Sequence, residues 1–492
     1  MPGTGCAAPT GPTPPPSGFP PTAATRPIPT ADGPEIDPAS FRDPSGFVFR
    51  RDGVLYRQVQ PPAAADWEAY RTSGLHERLT ADRLVIEHEE AATELAALPG
   101  AVAVIRPRML DLISYPYEWS FSQLKDAALL TLELQSRALD AGMRLKDASA
   151  YNVQLEDGRP VLIDTLSFEV ADATQPWPAY RQFCEHFLAP LALIAHRDAR
   201  CGLMLRDFID GIPLDLATTL LPGRTRLNLG LASHLHLHAG AQRRAARGAG
   251  PAPDAPAPTR RISATGQRAL LDSLRRTVEG LRWRPTGHWA GYAGATSYSE
   301  TATASKAQLV REMLDTVGGR AAWDLGANTG AYSAIAADAG YRVAAWDQDA
   351  ASVDAHWLRL RGTAGRAILP LIGDLANPSP SLGWGLEERR SFLQRGEPDV
   401  LLALALVHHL AIGNNVPLAG IARFFARIAS WAIVEFVPKE DPMTRRLLAA
   451  RRDIFDGYTI DGLRAAFGET FEIVREAPIT DSPRTLFLLQ RR

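Results

Sequence analysis

Cysteine and lysine are both scarce in this chain of 492 residues. The three cysteines are too widely or too irregularly spaced to form a disulfide framework or a zinc-binding pattern. We therefore expect a reducing, cytoplasmic setting. Lysine occurs at only four positions, which are Lys125, Lys146, Lys306 and Lys439. This excludes any site that needs a lysine before Lys125.

Long hydrophobic runs and a strong net charge are also missing. The most apolar stretches, FLAPLALIA (187–195) and VLLALALV (400–407), are shorter than the roughly 20 residues that a membrane-spanning helix needs. The N-terminus has neither the basic start nor the apolar core of a secretory signal. The formal net charge is -2, so the overall charge indicates neither nucleic-acid nor membrane-surface binding.

Two stretches rich in proline, glycine and alanine divide the chain. Residues 1–40 have a composition that cannot form a hydrophobic core, so we predict a disordered tail. Residues 239–261 have the composition of an exposed linker and a domain boundary. The predicted folded blocks are therefore residues 41–238 and residues 262–492.

The C-terminal block alternates strand-like and helix-like patterns, which is typical of an α/β fold with a parallel sheet. Apolar runs such as AAWDL (321–325) predict strands, and segments such as TGAYSAIAADAG (329–340) predict the helices between them. The final segment, residues 471–490, has the pattern of two strands around a turn. We predict a doubly wound, Rossmann-like sheet that ends in an antiparallel hairpin.

The segment DLGANTG, which begins at Asp324, indicates a ligand site at a turn between a strand and a helix. Gly326 and Gly330 remove side chains where a tight turn and a close ligand approach need space. Asn328 can cap the following helix and tolerates unusual backbone angles. Asp347 ends the next strand, where an acid can bind both hydroxyls of a ribose.

A dinucleotide is the rival ligand, but its G-x-G-x-x-G fingerprint has a glycine where this chain has Asn328. The segment resembles the first motif of class I S-adenosylmethionine-dependent methyltransferases in its D-x-G-x-N-x-G form, and later motifs follow in order over residues 296–492. The resemblance implies a seven-stranded sheet, S-adenosylmethionine as the cofactor, a ribose contact at Asp347 and an adenine contact at Asp374. The alternative is that each acid only caps a turn.

Three further residues are candidates for catalysis on the acceptor side of this site. His408 and His409 follow the strand-like run PDVLLALALV, which ends at the reaction centre in the family that the chain resembles. A histidine has a pKa suited to accepting a proton near neutral pH. Glu435 follows the next strand, in IVEFVPK. The alternatives are that the histidines pack locally and that Glu435 anchors its loop near Lys439.

The segment NPSPSLGWGLEERRSFLQRGEP, residues 377–398, is a long polar insert after the third predicted strand. We expect it to form a lid or an acceptor wall, and we expect Tyr298 to cover the cofactor. With the later strings DVLLALALVHHL and EFVPKEDPM, the insert also resembles a narrower group of methyltransferase-like proteins connected with rhizobial host-specific nodulation. This resemblance names no acceptor, so both a small molecule and a biopolymer remain candidates.

The block at residues 41–238 contains LKDASAYNVQLEDGRPVLIDTLSFE, in which a polar loop leads into an Asp-Gly hairpin. Asp147 and Asn152 lie five residues apart in the loop, and Asp164 follows the hairpin. The pattern resembles the catalytic loop and the metal-binding acid of protein-kinase-like and aminoglycoside-phosphotransferase-like folds. The resemblance implies an α+β kinase-like domain that would use Mg-ATP if it were active.

Several departures from that pattern predict a kinase-like domain that has lost phosphotransfer. The lysine that pairs with the nucleotide phosphates is missing, and an arginine such as Arg57 or Arg106 is not an equivalent group. Leu145 occupies the place of the usual histidine. The alternative is an ordinary hairpin with acids that cap turns.

Three alternating histidines in SHLHLHAG, which are His234, His236 and His238, are the remaining candidates for a metal site. No carboxylate or cysteine follows them at ligand spacing, so we expect packed or solvated histidines and no metal site. The sequence therefore predicts a cytoplasmic S-adenosylmethionine-dependent methyltransferase with a kinase-like N-terminal domain and neither a membrane span nor a nucleic-acid partner. A phosphotransferase and a non-catalytic cofactor-binding scaffold are the alternatives, and the sequence sets no oligomeric state.

Overall fold

The computed structural model describes residues 33–172, 175–246, 262–285, 298–362, 367–449 and 451–492. We call the described residues up to 285 the N-terminal unit and those from 298 onward the C-terminal unit. The predicted tail and linker lie largely outside the described residues, which omit 1–32 and 247–261.

The N-terminal unit contains a five-stranded antiparallel sheet and two hairpin-like pairs in its described part. Its strands are β1 (Glu35–Ile36), β2 (Gly46–Arg51), β3 (Val54–Val59), β4 (His88–Ala91), β5 (Ala103–Pro107), β6 (Met143–Leu145), β7 (Val153–Glu156), β8 (Arg159–Leu162) and β9 (Phe168–Val170). The sheet order is β1-β2-β3-β5-β4, while β6 pairs with β9 and β7 with β8. Within the described residues, the first regular element is β1, which lies in the last residues of the predicted tail.

The described helices of the N-terminal unit are α1 (Ala64–Thr72), α2 (Leu75–Ala81), α3 (Phe121–Asp140), α4 (Tyr180–Phe183), α5 (Ala189–His196), α6 (Met204–Asp207), α7 (Leu214–Leu220), α8 (Leu229–Leu231), α9 (His238–Ala246) and α10 (Ala264–Gly280). The longest described helix of the N-terminal unit is α3, and α2, α5 and α10 contact it. The side chains of Ser120 and Gln123 form a capping box at the start of α3. In the described part of the chain, no helix is both long enough and apolar enough to cross a bilayer.

Helix α10 packs on α3, although the sequence divides the two between different blocks. Its apolar stripe includes Leu271, Leu274 and Val278, which are buried. The Lys125 ammonium of α3 donates to the Glu279 carbonyl oxygen at 2.9 Å, which holds the end of α10 in place.

The C-terminal unit alternates strands and helices as the sequence predicts. Its elements are α11 (Glu300–Val317), β10 (Ala321–Leu325), α12 (Ala331–Asp338), β11 (Arg342–Asp347), α13 (Ala350–Leu360), β12 (Ile368–Ile372), β13 (Val400–Ala403), α14 (Leu418–Ala426), β14 (Trp431–Phe436), α15 (Pro442–Ala449), α16 (Ile460–Gly468), β15 (Phe471–Pro478) and β16 (Thr485–Arg491). Among the described residues, seven strands form one sheet in the order β12-β11-β10-β13-β14-β16-β15. The first five are parallel, and β16 runs antiparallel to both of its neighbours. The α/β sheet that the sequence predicts is therefore confirmed.

The register of this sheet brings three loops to one edge. Leu325, the last residue of β10, is paired with Trp346 in β11 and with Ala403 in β13. Because the carboxyl ends of parallel strands meet at the same edge, the loops after β10, β11 and β13 face one another. Residues of β10 also alternate between faces, so that Ala322 and Trp323 belong to different hydrophobic clusters.

A buried junction joins the two units. The larger hydrophobic cluster contains residues of both units, such as Trp119 and Trp346. At its edge the buried Arg395 guanidinium forms two hydrogen bonds with the Glu118 carboxylate, at 2.7 and 2.5 Å. The indole N–H of Trp357 in α13 donates to Asp126 of α3 at 2.9 Å. The units therefore share a core as well as polar contacts.

Candidate functional site

The loop after β10 adopts the left-handed backbone that its composition predicts. The φ angles of Gly326, Asn328 and Gly330 are 75°, 50° and 82°. Asn328 does not cap the helix, contrary to our expectation, because its Oδ1 atom accepts the Thr329 N–H at 2.6 Å and α12 begins after Gly330. A Cβ atom on Gly330 would lie 1.9 Å from the ring of His356 in α13. Only a glycine therefore allows the start of α12 to lie this close to His356.

Asp347 connects the first two loops at this edge. Its Oδ2 atom accepts the Asn328 N–H at 2.7 Å, and its Oδ1 atom accepts the Asp349 N–H at 2.8 Å. Each carboxylate oxygen has a second lone pair, so both can still accept a hydroxyl. Burial raises the pKa of Asp347, while the two backbone N–H groups oppose this by favouring the ionised form.

Asp324 is a buried acid at the end of β10. The Ser333 hydroxyl of α12 donates to its Oδ2 atom at 2.6 Å. Burial raises the pKa of Asp324 to about 6, although Ser333 and the nearby Lys306 ammonium both lower it. The residue is therefore poised between its charged and neutral forms near neutral pH.

A cavity of about 410 Å³ opens at this edge of the sheet. We call it the cofactor-size cavity, because its volume lies in the range of roughly 300–1,000 Å³ that is common for small-molecule sites. Five of the residues predicted to bind the cofactor line it, and they are Asp324, Gly326, Asn328, Asp347 and Asp374. Gly330 is not among the described lining residues, and its role in the structure is the close packing of α12 on His356.

His408 and His409 both line the cofactor-size cavity. Their rings are 4.2 Å apart, and the Nδ1 atom of the buried His408 has no hydrogen-bond partner among the described residues. Burial, followed by the neighbouring His409, lowers the pKa of His408 well below its ordinary value. Burial also lowers the pKa of His409. Both rings are therefore neutral at physiological pH, and their lowered pKa values make them weaker bases than a free histidine.

Glu435 lies behind the cavity wall, so the structure corrects the expectation that it faces an acceptor. Its side chain is fully buried, and it is not one of the described residues that line the cavity. The Lys306 ammonium lies 2.7 Å from its Oε2 atom, and Arg484 lies 3.3 Å from its Oε1 atom. Glu435 is therefore a structural charge, as the alternative proposed, but its partners are Lys306 and Arg484, while Lys439 pairs with Asp453 at 2.8 Å.

The cation pair Lys306 and Arg484 lines the cavity and was not identified from the sequence. Lys306 lies 4.3 Å from the centre of the Tyr332 ring, and Arg484 lies 4.4 Å from the centre of the Tyr298 ring. Tyr298 lines the cavity, as the sequence analysis expects of a residue that covers the cofactor. The scarcity of lysine was the one signal that could have drawn attention to Lys306.

A second cavity, of about 510 Å³, lies between the N-terminal unit and the insert at residues 377–398. Asp147, Asn152 and Asp164 all line it, as the kinase-like resemblance implies. Burial and the nearby Asp164 raise the pKa of Asp147. Arg57 of β3 also lines the cavity, and its Nη1 atom lies 2.5 Å from the Asp164 carboxylate. The acid that would hold magnesium therefore already has a cationic partner.

Arg106 is not a substitute for the missing lysine. It pairs with Glu89 at 2.5 Å on the surface, and it is not among the described residues that line the second cavity. Of the two candidate arginines, Arg57 is therefore the one that lies beside Asp164 in the second cavity.

The insert at residues 377–398 closes the second cavity rather than the cofactor-size cavity, which corrects the expectation of an acceptor wall. Glu388 of the insert pairs with Arg42 at 2.9 Å, and Arg389 lies 4.3 Å above the Tyr151 ring. Trp384, which we expected to contribute to a lid, is 78% exposed. The polar residues of the insert bind the N-terminal unit.

The alternating histidines are packed, as expected. His234 contacts the Tyr180 hydroxyl and the Ser273 hydroxyl, each at 2.9 Å. His236 contacts the Thr225 hydroxyl at 2.9 Å. In the part of the chain that the structure describes, no three histidine, cysteine or acidic side chains form a group that could hold a metal ion.

Comparison with known proteins gives one relative that covers almost the whole chain. The nodulation protein NoeA of Rhizobium meliloti (strain 1021) is 37% identical over 457 residues, which are 92% of this chain and 95% of that protein. No family model matches the chain. The comparison confirms the resemblance to nodulation-related proteins.

Several solved methyltransferase structures are similar to part of the chain. Magnesium protoporphyrin IX methyltransferase (ChlM) from Synechocystis PCC 6803 with bound SAH is 19% identical, covers 42% of this chain and 93% of its own, and has a TM-score of 0.30. The N-methyltransferase NodS from Bradyrhizobium japonicum WM9 is 10% identical, covers 39% and 98%, and has a TM-score of 0.28. The bifunctional kinase-methyltransferase WbdD is 16% identical, covers 42% of both chains, and has a TM-score of 0.29. On the strength of the full-length relative, the chain belongs to the family of the nodulation protein NoeA.

Proposed function

We propose that the chain is an enzyme that transfers a methyl group from S-adenosylmethionine to an acceptor, and that the transfer takes place in the cofactor-size cavity. The observation that carries the proposal is the meeting of Asp324, Asp347 and Asp374 with His408 and His409 in one cavity at the carboxyl edge of a parallel sheet. These residues lie at or after the carboxyl ends of four strands, which are β10, β11, β12 and β13.

The cavity fits an adenosyl ligand with a cationic centre. At Gly326, a Cβ atom would lie 3.3 Å from the Leu406 side chain, so the glycine keeps this part of the loop narrow and close to the ligand. In this proposal Asp347 accepts the ribose hydroxyls with its remaining lone pairs, and Asp374 contacts the adenine amino group. The bound cofactor supplies a methyl group on a positively charged sulfur, which suits a cavity with this many carboxylates.

The two histidines have the protonation state that the acceptor side requires. A neutral imidazole can hold the proton that an acceptor hydroxyl or amine gives up, whereas a charged imidazole would repel the sulfonium. His408 has an Nδ1 atom without a partner in the described chain, so it is the better candidate. The acceptor, a small molecule or a biopolymer, must therefore reach the end of β13.

For the N-terminal unit, we propose a degenerate kinase-like domain over residues 41–238, joined by a linker at 239–261 to the block at 262–492 that carries the methyltransferase domain. The first helix of this block, α10, packs on α3 of the N-terminal unit. The Arg57–Asp164 ion pair is the observation against phosphotransfer, since it occupies the acid that would hold magnesium. A non-catalytic scaffold that binds the cofactor without turnover is the remaining alternative.

Labelled-methyl transfer tests the proposal. Purified protein is incubated with S-adenosylmethionine carrying a radioactive methyl group and with a cell extract, and the labelled product is then separated and identified. We expect a labelled species that is absent when Asp347→Ala replaces the wild type. Cofactor binding without any labelled species would favour the scaffold, and absence of cofactor binding would refute the proposal.

A further inference from the structure

The second cavity is lined by several buried nitrogen atoms that have no hydrogen-bond partner among the described residues. There are five, and they are the Nε atoms of Arg57, Arg389 and Arg395 and the Nδ1 atoms of His88 and His186. Among its described residues the cofactor-size cavity has one such atom, in His408. An unsatisfied buried polar atom costs free energy, so five around one cavity indicate a ligand with polar groups on several sides.

Arg389 of the insert differs from most other arginines of this cavity. Five of the others each form a salt bridge with an acid, and they are Arg42, Arg57, Arg108, Arg390 and Arg395. Arg389 forms none with a described residue, and its Nη1 atom donates to the Glu388 carbonyl oxygen at 2.9 Å. Its guanidinium lies 4.3 Å from the centre of the Tyr151 ring. A guanidinium stacked on a ring keeps its edge, which includes the Nε–H group, for a carboxylate or a phosphate.

His186 supplies a neutral polar group near the same tyrosine. Its side chain is 1% exposed, and its ring lies edge-on to the Tyr151 ring at 6.3 Å. Burial, followed by the Arg389 charge, lowers the pKa of His186 to about 4, so the imidazole is neutral at physiological pH. The Nδ1 atom of a neutral imidazole either donates or accepts one hydrogen bond, and a ligand hydroxyl can serve as the partner in both cases.

We propose that the second cavity binds a sugar that carries a carboxylate or a phosphate group, with that group on Arg389 and a hydroxyl of the sugar on His186. The volume of about 510 Å³ is sufficient for such a molecule. Because Arg57 already pairs with Asp164, the anionic group is held by guanidinium groups and not by a metal ion. Arg389 belongs to the insert and His186 to the N-terminal unit, so the site is complete only when the two units are in contact. It is separate from the cavity proposed for methyl transfer.

Calorimetry on the full chain tests the proposal by comparing charged sugars with molecules that have only one of the two features. Glucuronate and glucose 6-phosphate carry both a charge and hydroxyls, glucose lacks the charge, and acetate and inorganic phosphate lack the sugar. We expect a charged sugar to bind about 30-fold more tightly than glucose or the matching free anion, the scale of a charge-assisted hydrogen bond. The charged sugar that binds more tightly distinguishes a carboxylate ligand from a phosphate ligand. Addition of EDTA should leave the affinity unchanged.

Variants then assign each feature of the ligand to a residue. Arg389→Met should weaken binding of the charged sugar by about 30-fold and leave the binding of glucose unchanged. Arg389→Lys keeps the charge but loses the paired N–H donors, so it should recover only part of the affinity. His186→Phe should weaken the charged sugar about 10-fold and leave the free anion unaffected. Arg464→Met changes an arginine that pairs with Asp461 and Glu476 on the surface, and it is the control that should keep the full affinity.

Several results would overturn the proposal. Failure of both charged sugars to bind at millimolar concentration would remove the site, and loss of binding in EDTA would show a metal-dependent site instead. Equal affinity for glucose and a charged sugar would exclude the anionic contact, and a free anion that binds as tightly as its sugar would exclude the sugar. A merely structural Arg389 would lower the unfolding midpoint of Arg389→Met without changing the ratio of the affinities for the charged sugar and for glucose.

Discussion

The cofactor-size cavity and the second cavity are lined by the same kind of residue, yet their carboxylates are in different states. In the cofactor-size cavity, Asp347 accepts backbone N–H groups and keeps lone pairs for a ligand. In the second cavity, Asp164 forms a close ion pair with Arg57. The comparison teaches that the presence of an acid after a strand does not define a site, because its existing partners decide whether it can bind anything else.

The walls of the two cavities differ as well. All the described residues that line the cofactor-size cavity belong to the C-terminal unit. The second cavity is lined partly by Glu388, Arg389 and Arg395, which belong to the insert of the C-terminal unit. A substitution at the junction between the units should therefore affect the second cavity and leave the cofactor-size cavity intact.

The largest effect is expected from Arg395→Met, which breaks the buried pair with Glu118. Removing one partner leaves an uncompensated buried charge, and such changes cost about 3–5 kcal/mol of stability. We expect denaturant unfolding to show a loss of this size, while the affinity of the folded variant for S-adenosylhomocysteine stays unchanged.

Arg464→Met provides the control for this prediction, because Arg464 pairs with Asp461 and Glu476 on the exposed surface. Its unfolding midpoint should hardly move, since exposed pairs contribute little. A loss of cofactor affinity in Arg395→Met would contradict the separation of the two cavities.

The next largest effect is expected when Asp347 of the cofactor-size cavity is compared with Asp164 of the second cavity. Asp347→Ala removes both proposed ribose contacts and the link between two loops, so we expect binding of S-adenosylhomocysteine to weaken by about 100-fold, or ~3 kcal/mol. Asp164→Ala is the matched change in the other cavity and should leave this affinity unchanged. The same calorimetric titrations with Mg-ATP should show no binding that depends on Asp164. Magnesium-dependent nucleotide binding that Asp164→Ala abolishes would overturn the comparison.

A smaller effect concerns pH. The pKa of Asp324 is raised to about 6 in the folded protein, from 3.8. The folded state therefore holds a proton that the unfolded state releases, so stability from this group is present at low pH and is lost as pH rises from about 4 to about 6. Asp324→Asn should escape this loss, and its stability relative to wild type should increase by about 2 kcal/mol between pH 4 and pH 7. Denaturant titrations at several pH values would show a constant difference if Asp324 had an ordinary pKa.

The strands and the loop acids were predictable because they depend on local patterns. AAWDL gives β10 with the predicted bounds, and the turn residues Gly326 and Gly330 have the positive φ angles that glycine favours. The acids at strand ends could be placed in one site because parallel strands bring their carboxyl ends together.

The missed features depend on contacts between distant parts of the chain. Glu435 follows a strand, as the acids of the site do, but Lys306 and Arg484, which hold it away from the cavity, are 129 and 49 residues away in sequence. The insert at residues 377–398 looked like a lid because its polar residues had no visible partners in the sequence. Its partners, such as Glu118 and Arg42, lie in the other unit.

The shared core has a consequence for how the chain can be divided. Trp357 is fully buried and hydrogen-bonded to Asp126, so separating the two units would bring indole and aliphatic surface into contact with water and leave a buried carboxylate without its donor. A Pro-rich linker normally suggests modules that can be exchanged or expressed alone. Here the predicted linker is followed by α10, which packs on α3 of the N-terminal unit, so it does not separate the two halves, and the halves depend on each other for folding.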